Sequence, residues 1–137
     1  MLRFNDIKDA FFFVSSASYG MHSAFLCKEK GQIYYHSEMG DLDEISAEDL
    51  DWEMCIEIPH KNDLNLGQQL VFEFIERHLP DGYHRVQYFF RKRGAYSRLK
   101  DLLESKVLLQ SWYDFENQRE EQVLGQWCED NDIILSG

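Results

Sequence analysis

Basic residues are scarce in this chain. Fourteen Lys and Arg stand against 25 Asp and Glu, a formal charge of −11. That balance excludes indiscriminate attachment to DNA or to anionic membranes, both of which reward excess positive charge. Cysteine is sparse as well. Cys27, Cys55 and Cys128 are widely spaced, odd in number and never form CxxC, which speaks against a disulfide framework or a zinc ribbon. They read as buried or incidental thiols of a reducing compartment. Long apolar runs are missing too: Ala10 to Val14 is the longest, far short of the ~20 residues a membrane-spanning helix needs. No basic segment followed by an apolar stretch opens the chain, so the expectation is a soluble cytoplasmic protein without a membrane contact.

Catalytic signatures are absent in the same way. There is no GxSxG, no GxGxxG and no GxxxxGK[ST]. His22 and His36 fall on neighbouring strand-like runs, where they are expected to face each other, and His60, His78 and His84 lie in or near loops. None belongs to an HExxH or sits at zinc spacing from a cysteine. The sequence therefore points to no catalytic residue, no cofactor and no metal site.

What is present is an adequate core. Hydrophobic residues make up 44% of the chain, enough to order it, and 137 residues suit one domain spanning 1–137. Ile7, Phe11 and Val14 recur at helical spacing in the segment Phe4–Ser16, with Asn5 or Asp6 as its cap and with Phe12 and Phe13 widening its apolar face to two sides. Two strand-like runs, Met21–Lys28 and Gln32–Ser37, flank a short loop whose Gly31 suits the positive φ of a hairpin. In the second run Ile33 and Tyr35 face one way, Tyr34 and His36 the other. Trp52–Ile58 alternates with a period of two, which predicts a third strand stopped by Pro59. The acidic stretch between strands two and three, Glu38 to Glu53, contains no Lys or Arg and reads as a solvated connection with a short helix near Ser46–Asp51; it lacks the order of a calcium loop.

The second half is helical in pattern. Leu70, Val71, Phe74 and Ile75 mark a helix over Leu66–Leu79, broken by Pro80-Asp81-Gly82. Further helices are expected over Tyr83–Arg93, Ala95–Ser105 and Leu109–Glu129, the last with Trp112, Phe115, Val123 and Trp127 on its buried side. The fold class is α+β: an N-terminal helix and a small antiparallel sheet of about three strands, then a half of about four helices.

One local contrast stands out. Arg85, Arg91, Lys92, Arg93, Arg98 and Lys100 occur with no acid among them in an otherwise acidic chain. Cations at the end of one helix complement its dipole, and Gly94 suits the left-handed residue that follows. The next helix then starts near Ala95, where unpaired N–H groups and the dipole attract negative charge. Arg93, Gly94, Ala95, Tyr96, Arg98 and Lys100, with Tyr113 and Arg119 on the last helix, form the candidate site for an anionic ligand or an acidic protein partner. Glu116 and Arg119, three residues apart, are expected to pair. Nucleic acid is the less favoured partner because of the overall charge, and a small enzyme using Glu116, Arg119 or Lys100 in a cleft is a further alternative.

At Arg93-Gly94-Ala95-Tyr96-Ser97-Arg98-Leu99-Lys100-Asp101, followed by Trp112-Tyr113-Asp114-Phe115, Arg119 and the acidic tail Trp127–Asp132, the chain resembles uncharacterised protein family 0158, a bacterial family. The likeness extends upstream through Phe74-Ile75-Glu76 and to the hairpin around Gly31. The family often has a second basic residue where Glu116 stands and Phe where Leu99 stands. The resemblance implies one domain and an α+β fold; it implies no reaction, substrate or cofactor.

Overall fold

The computed structural model describes residues 2–40, 42–44 and 51–136, and its α+β architecture follows the sequence pattern closely. An N-terminal helix α1 (Phe4–Ser15) precedes strands β1 (His22–Cys27), β2 (Gln32–Ser37) and β3 (Cys55–Glu57), and helices α2 (Gln68–His78), α3 (Tyr83–Phe89), α4 (Ala95–Ser105) and α5 (Leu109–Asp130) follow. Backbone contacts gather the chain into two compact units, residues 1–64 with 122–137 and residues 65–121.

In the first unit the sheet has the antiparallel order β2-β1-β3. Helix α1 buries Ile7, Ala10, Phe11 and Val14, and Phe13 meets Tyr35 edge-on at 5.1 Å, so the sheet face carrying Tyr35, Ala24 and Leu26 is the one turned to α1. Phe12 is 75% exposed, so α1 buries a single face rather than the two that its run of phenylalanines suggests. The helix starts two or three residues earlier than Asn5 or Asp6 would set it: its cap is Arg3, whose N–H donates to the Asp6 carboxylate at 2.9 Å. Gly31 turns the hairpin at φ 62° and donates its N–H to the Cys27 carbonyl at 2.8 Å.

Three further expectations in this unit are corrected. The third strand is shorter than Trp52–Ile58. The Asp51 carboxylate accepts the Glu53 N–H at 3.2 Å and starts a 3-10 turn over Trp52–Met54, which leaves Trp52 and Met54 exposed, and pairing begins only at Cys55. His22 and His36 do not face each other: His22 pairs with Ser37 and Ser23 with His36, which puts the two rings on opposite faces of the sheet. Cys27 and Cys55 are not separate thiols but a cross-strand disulfide, whereas Cys128 is free and buried. The disulfide joins directly opposed residues of β1 and β3, between the paired Lys28 and Met54 on one side and Leu26 and Ile56 on the other. That is a non-hydrogen-bonded position, where antiparallel strands approach closest, and the Cα atoms stand 4.3 Å apart. The helix expected near Ser46–Asp51 falls mostly outside the described residues.

In the second unit α2 buries Leu70, Val71, Phe74 and Ile75. Phe74 packs against Trp112 and Phe115 of α5, with both ring centroids 5.4 Å away. Helix α3 ends four residues before Arg93: the Arg91 and Lys92 amides reach back only three residues, to Tyr88 and Phe89, in a tightened last turn. Helix α4 occupies its expected span and buries Leu99, Leu102 and Leu103. It ends with the Val107 and Leu108 amides donating to the Glu104 and Leu103 carbonyls, Val107 standing at φ 59°.

Candidate functional site

Gly94 takes the left-handed conformation, φ 72° and ψ 29°, and turns the chain from α3 into α4. Gly94 offers no side chain to cap the start of α4, which begins beside the exposed Arg91-Lys92-Arg93 turn. From this turn the basic residues diverge. Arg98 and Lys100 are two positions apart on α4, hence about 200° round the helix. Arg98 faces α3 and lines a cleft of about 310 Å3 with Arg85, Phe89, Asp101, Leu102 and Ser105. Lys100 faces α5, where its ammonium lies 5.8 Å from the Tyr113 ring. One helical turn before Lys100, Tyr96 meets Phe90 edge-on at 5.3 Å, and its phenol pKa is raised by burial and then by the Glu116 carboxylate.

The candidate residues thus occupy three places: Arg93, Gly94 and Ala95 in the turn, Arg98 in the α3–α4 cleft, and Tyr96, Lys100 and Tyr113 along the α4–α5 seam. Arg119 belongs to none of them. It does not pair with Glu116, three residues before it, but with Glu73 of α2, through hydrogen bonds of 2.7 and 2.8 Å. Glu73 also takes Arg77 at 3.0 Å. Arg119 is therefore a structural cation already neutralised by the protein's own carboxylate, and it is removed from the anion site. Among the described residues no carboxylate forms an ion pair with Arg85, Arg91, Lys92, Arg93, Arg98 or Lys100.

Sequence reasoning missed the partnership of Arg85 with Arg98. The two lie 13 residues apart, on different helices, and only the α3–α4 hairpin joins them. It also missed where the charge resides. Residues 65–121 hold nine Lys or Arg and nine Asp or Glu, so this helical unit is formally neutral and the whole of the −11 lies in the sheet unit.

The sheet unit has a larger concavity of about 730 Å3, lined by Ser15 to Tyr19, Met21, His22, Met39 and His60 to Asn62. Most of its polar groups are consumed internally. His60 is buried, accepts the Asn62 N–H at Nδ1 and therefore donates from Nε2 to the Ala17 carbonyl at 3.0 Å. Ser15 takes the Lys61 N–H, and the Tyr19 hydroxyl donates to Asp63. His22 stacks on Phe13 at 4.3 Å and donates from Nδ1 to the Phe13 carbonyl. These bonds fix the loop after α1 in place.

Among the described residues, no group of three or more His, Cys, Asp or Glu side chains is placed to hold a metal ion, and no helix is long and apolar enough to cross a membrane. The chain matches no family model, no curated protein and no solved structure.

Proposed function

We propose that residues 65–121 are a docking module for an acidic segment of a protein partner, seated in the cleft between α3 and α4. One observation carries this reading: Arg85 and Arg98 enter the same cleft from different helices, beside Phe89 and Leu102, with no described carboxylate paired to either. Two guanidinium forks above apolar contact area suit a segment that presents carboxylates next to an apolar side chain. Asp101 lies in the same lining and repels acid placed next to it, which confines the partner's carboxylates to the arginine side. The Arg91-Lys92-Arg93 turn and the open start of α4 extend the positive surface and favour a partner long enough to pass it.

The reading takes the chain as a member of uncharacterised protein family 0158, on the strength of the Arg93–Asp101 block and Trp112-Tyr113-Asp114-Phe115, and as a cytoplasmic, non-enzymatic protein. The absence of catalytic motifs supports the last point.

The test is fluorescence anisotropy with a labelled peptide that combines Glu, Asp and Leu. Wild-type protein is expected to bind it, and Arg85→Glu with Arg98→Glu to abolish binding while circular dichroism stays unchanged. Lys28→Glu, in the sheet unit, should leave binding intact. The triple change Arg93→Glu, Arg98→Glu and Lys100→Glu should also abolish it. Survival of binding in the double variant overturns the cleft reading. A labelled single-stranded RNA run in parallel should not bind; binding that falls steeply with salt would replace this reading with nucleic-acid recognition.

A further inference from the structure

We propose that Cys27 and Cys55 are a reversible dithiol–disulfide pair that exchanges with low-molecular-weight thiols and disulfides, and that its state sets how firmly β3 and the Trp52 turn are held on β1. The first ground is that the fold apposes the two sulfurs without help from the covalent bond. Backbone bonds flank the pair on both sides: Lys28 donates to the Met54 carbonyl at 3.1 Å and Ile58 to the Ala24 carbonyl at 2.8 Å. Cys27 and Cys55 face each other at a non-hydrogen-bonded position between these bonds. The reduced protein therefore presents a preorganised dithiol, in which the second sulfur acts at a high effective concentration.

The second ground is access. Cys27 is buried and Cys55 is partly exposed, so a small thiolate reaches the Cys55 sulfur. In reduction that thiolate attacks Cys55 Sγ, the Cys27–Cys55 bond breaks, and Cys27 leaves as a thiolate that takes up a proton. A second small thiolate then attacks the added sulfur, which releases Cys55 as a thiolate and yields the small-molecule disulfide. Oxidation by a small-molecule disulfide such as oxidised glutathione runs the same steps backwards. The third cysteine does not compete: Cys128 is buried, and burial raises the pKa of its thiol, which suppresses the reactive thiolate.

The third ground is what the bond fastens. β3 supplies only the three residues Cys55–Glu57 to the ladder. Just before it, exposed Trp52 stands edge-on to Phe25 of β1 at 5.1 Å. Oxidation closes a ring between residues 28 positions apart and so narrows the freedom of the segment that carries this aromatic pair.

The experiment uses the full chain, prepared with dithiothreitol or with oxidised glutathione. Peptide mass mapping should find Cys27 linked to Cys55 only after oxidation and released again by dithiothreitol without denaturant. Amide hydrogen exchange at Lys28 and Ile58 should slow at least about tenfold in the oxidised protein, as loop closure suppresses local opening. Cys55→Ser, or Cys55→Ala should the serine variant fold poorly, should remove both the link and the difference. Three outcomes overturn the proposal: glutathione that remains on Cys55 without being displaced by Cys27, a link that native protein will not give up to dithiothreitol, or exchange rates that are equal in the two states.

Discussion

Arg119 of α5 closes on Glu73 of α2 with both terminal guanidinium nitrogens donating, across 46 residues of sequence. The two-pronged geometry holds the Glu73 carboxyl below its usual range, through the Arg119 hydrogen bonds first and against some desolvation, and it raises Arg119 in turn. Arg119 also lies 5.3 Å from the Phe115 ring, which packs on Phe74. The pair sits at the edge of the helical unit's aromatic core, partly screened by water. Glu73→Gln is expected to cost about 0.5–1 kcal/mol, and Arg119→Lys a similar amount through loss of the fork. A double-mutant cycle by urea denaturation should return a coupling energy of that size. Because the folded pKa of Glu73 is depressed, its contribution is present above the ordinary carboxylate pKa and lost as pH falls through the lowered value. The gap between wild type and Glu73→Gln should therefore close as pH falls below the ordinary carboxylate range.

His36 should show the opposite sign. Its imidazole bonds Glu38 at 2.9 Å and lies 3.2 Å from Asp43, and the Glu38 hydrogen bond, with Asp43 behind it, raises its pKa against some desolvation. Such a group stabilises fully below the ordinary histidine pKa, and the gain disappears as pH rises through the raised value. An NMR titration of the imidazole should place His36 above 6.5, and Glu38→Gln with Asp43→Asn should return it to the ordinary range.

Phe74 is fully buried and touches the rings of His78, Trp112 and Phe115. Phe74→Ala should cost about 3–5 kcal/mol, since three aromatic neighbours leave a cavity that cannot easily close. Denaturant midpoints with an unchanged slope would establish it as a stability loss.

Gly94 and Val107 invite opposite changes. Both stand at positive φ, 72° and 59°, at turns next to α4. A Cβ added at Gly94 meets nothing within 4 Å, so the cost of Gly94→Ala is conformational alone, about 1 kcal/mol. Val107 is a β-branched residue in the same region, 89% exposed and with no burial to compensate. Val107→Asn should raise stability by about 0.5–1 kcal/mol, visible as a higher melting temperature.

Local patterns carried most of the fold. Gly31 and Gly94 mark turns by their backbone freedom, and the spacing of Leu70, Val71, Phe74 and Ile75 reveals which face of α2 is buried. Trp52 to Ile58 misled because alternation does not register Asp51, whose carboxylate starts a 3-10 turn in the first half of the run. The Cys27–Cys55 pairing and the Glu73–Arg119 contact depend on strand register and helix packing, which residue spacing does not encode. The basic segment was visible as composition, but its division was not: helical rotation sends Arg98 to α3 and Lys100 to α5.

The neutrality of residues 65–121 has a colloidal consequence. The net negative charge that keeps copies of this protein apart resides in the sheet unit, whereas the Arg91–Arg93 turn stands in a unit without net charge. Because every copy still carries −11, low ionic strength, which lengthens the reach of that charge, should hold the molecules apart, with the sheet unit supplying the repulsion.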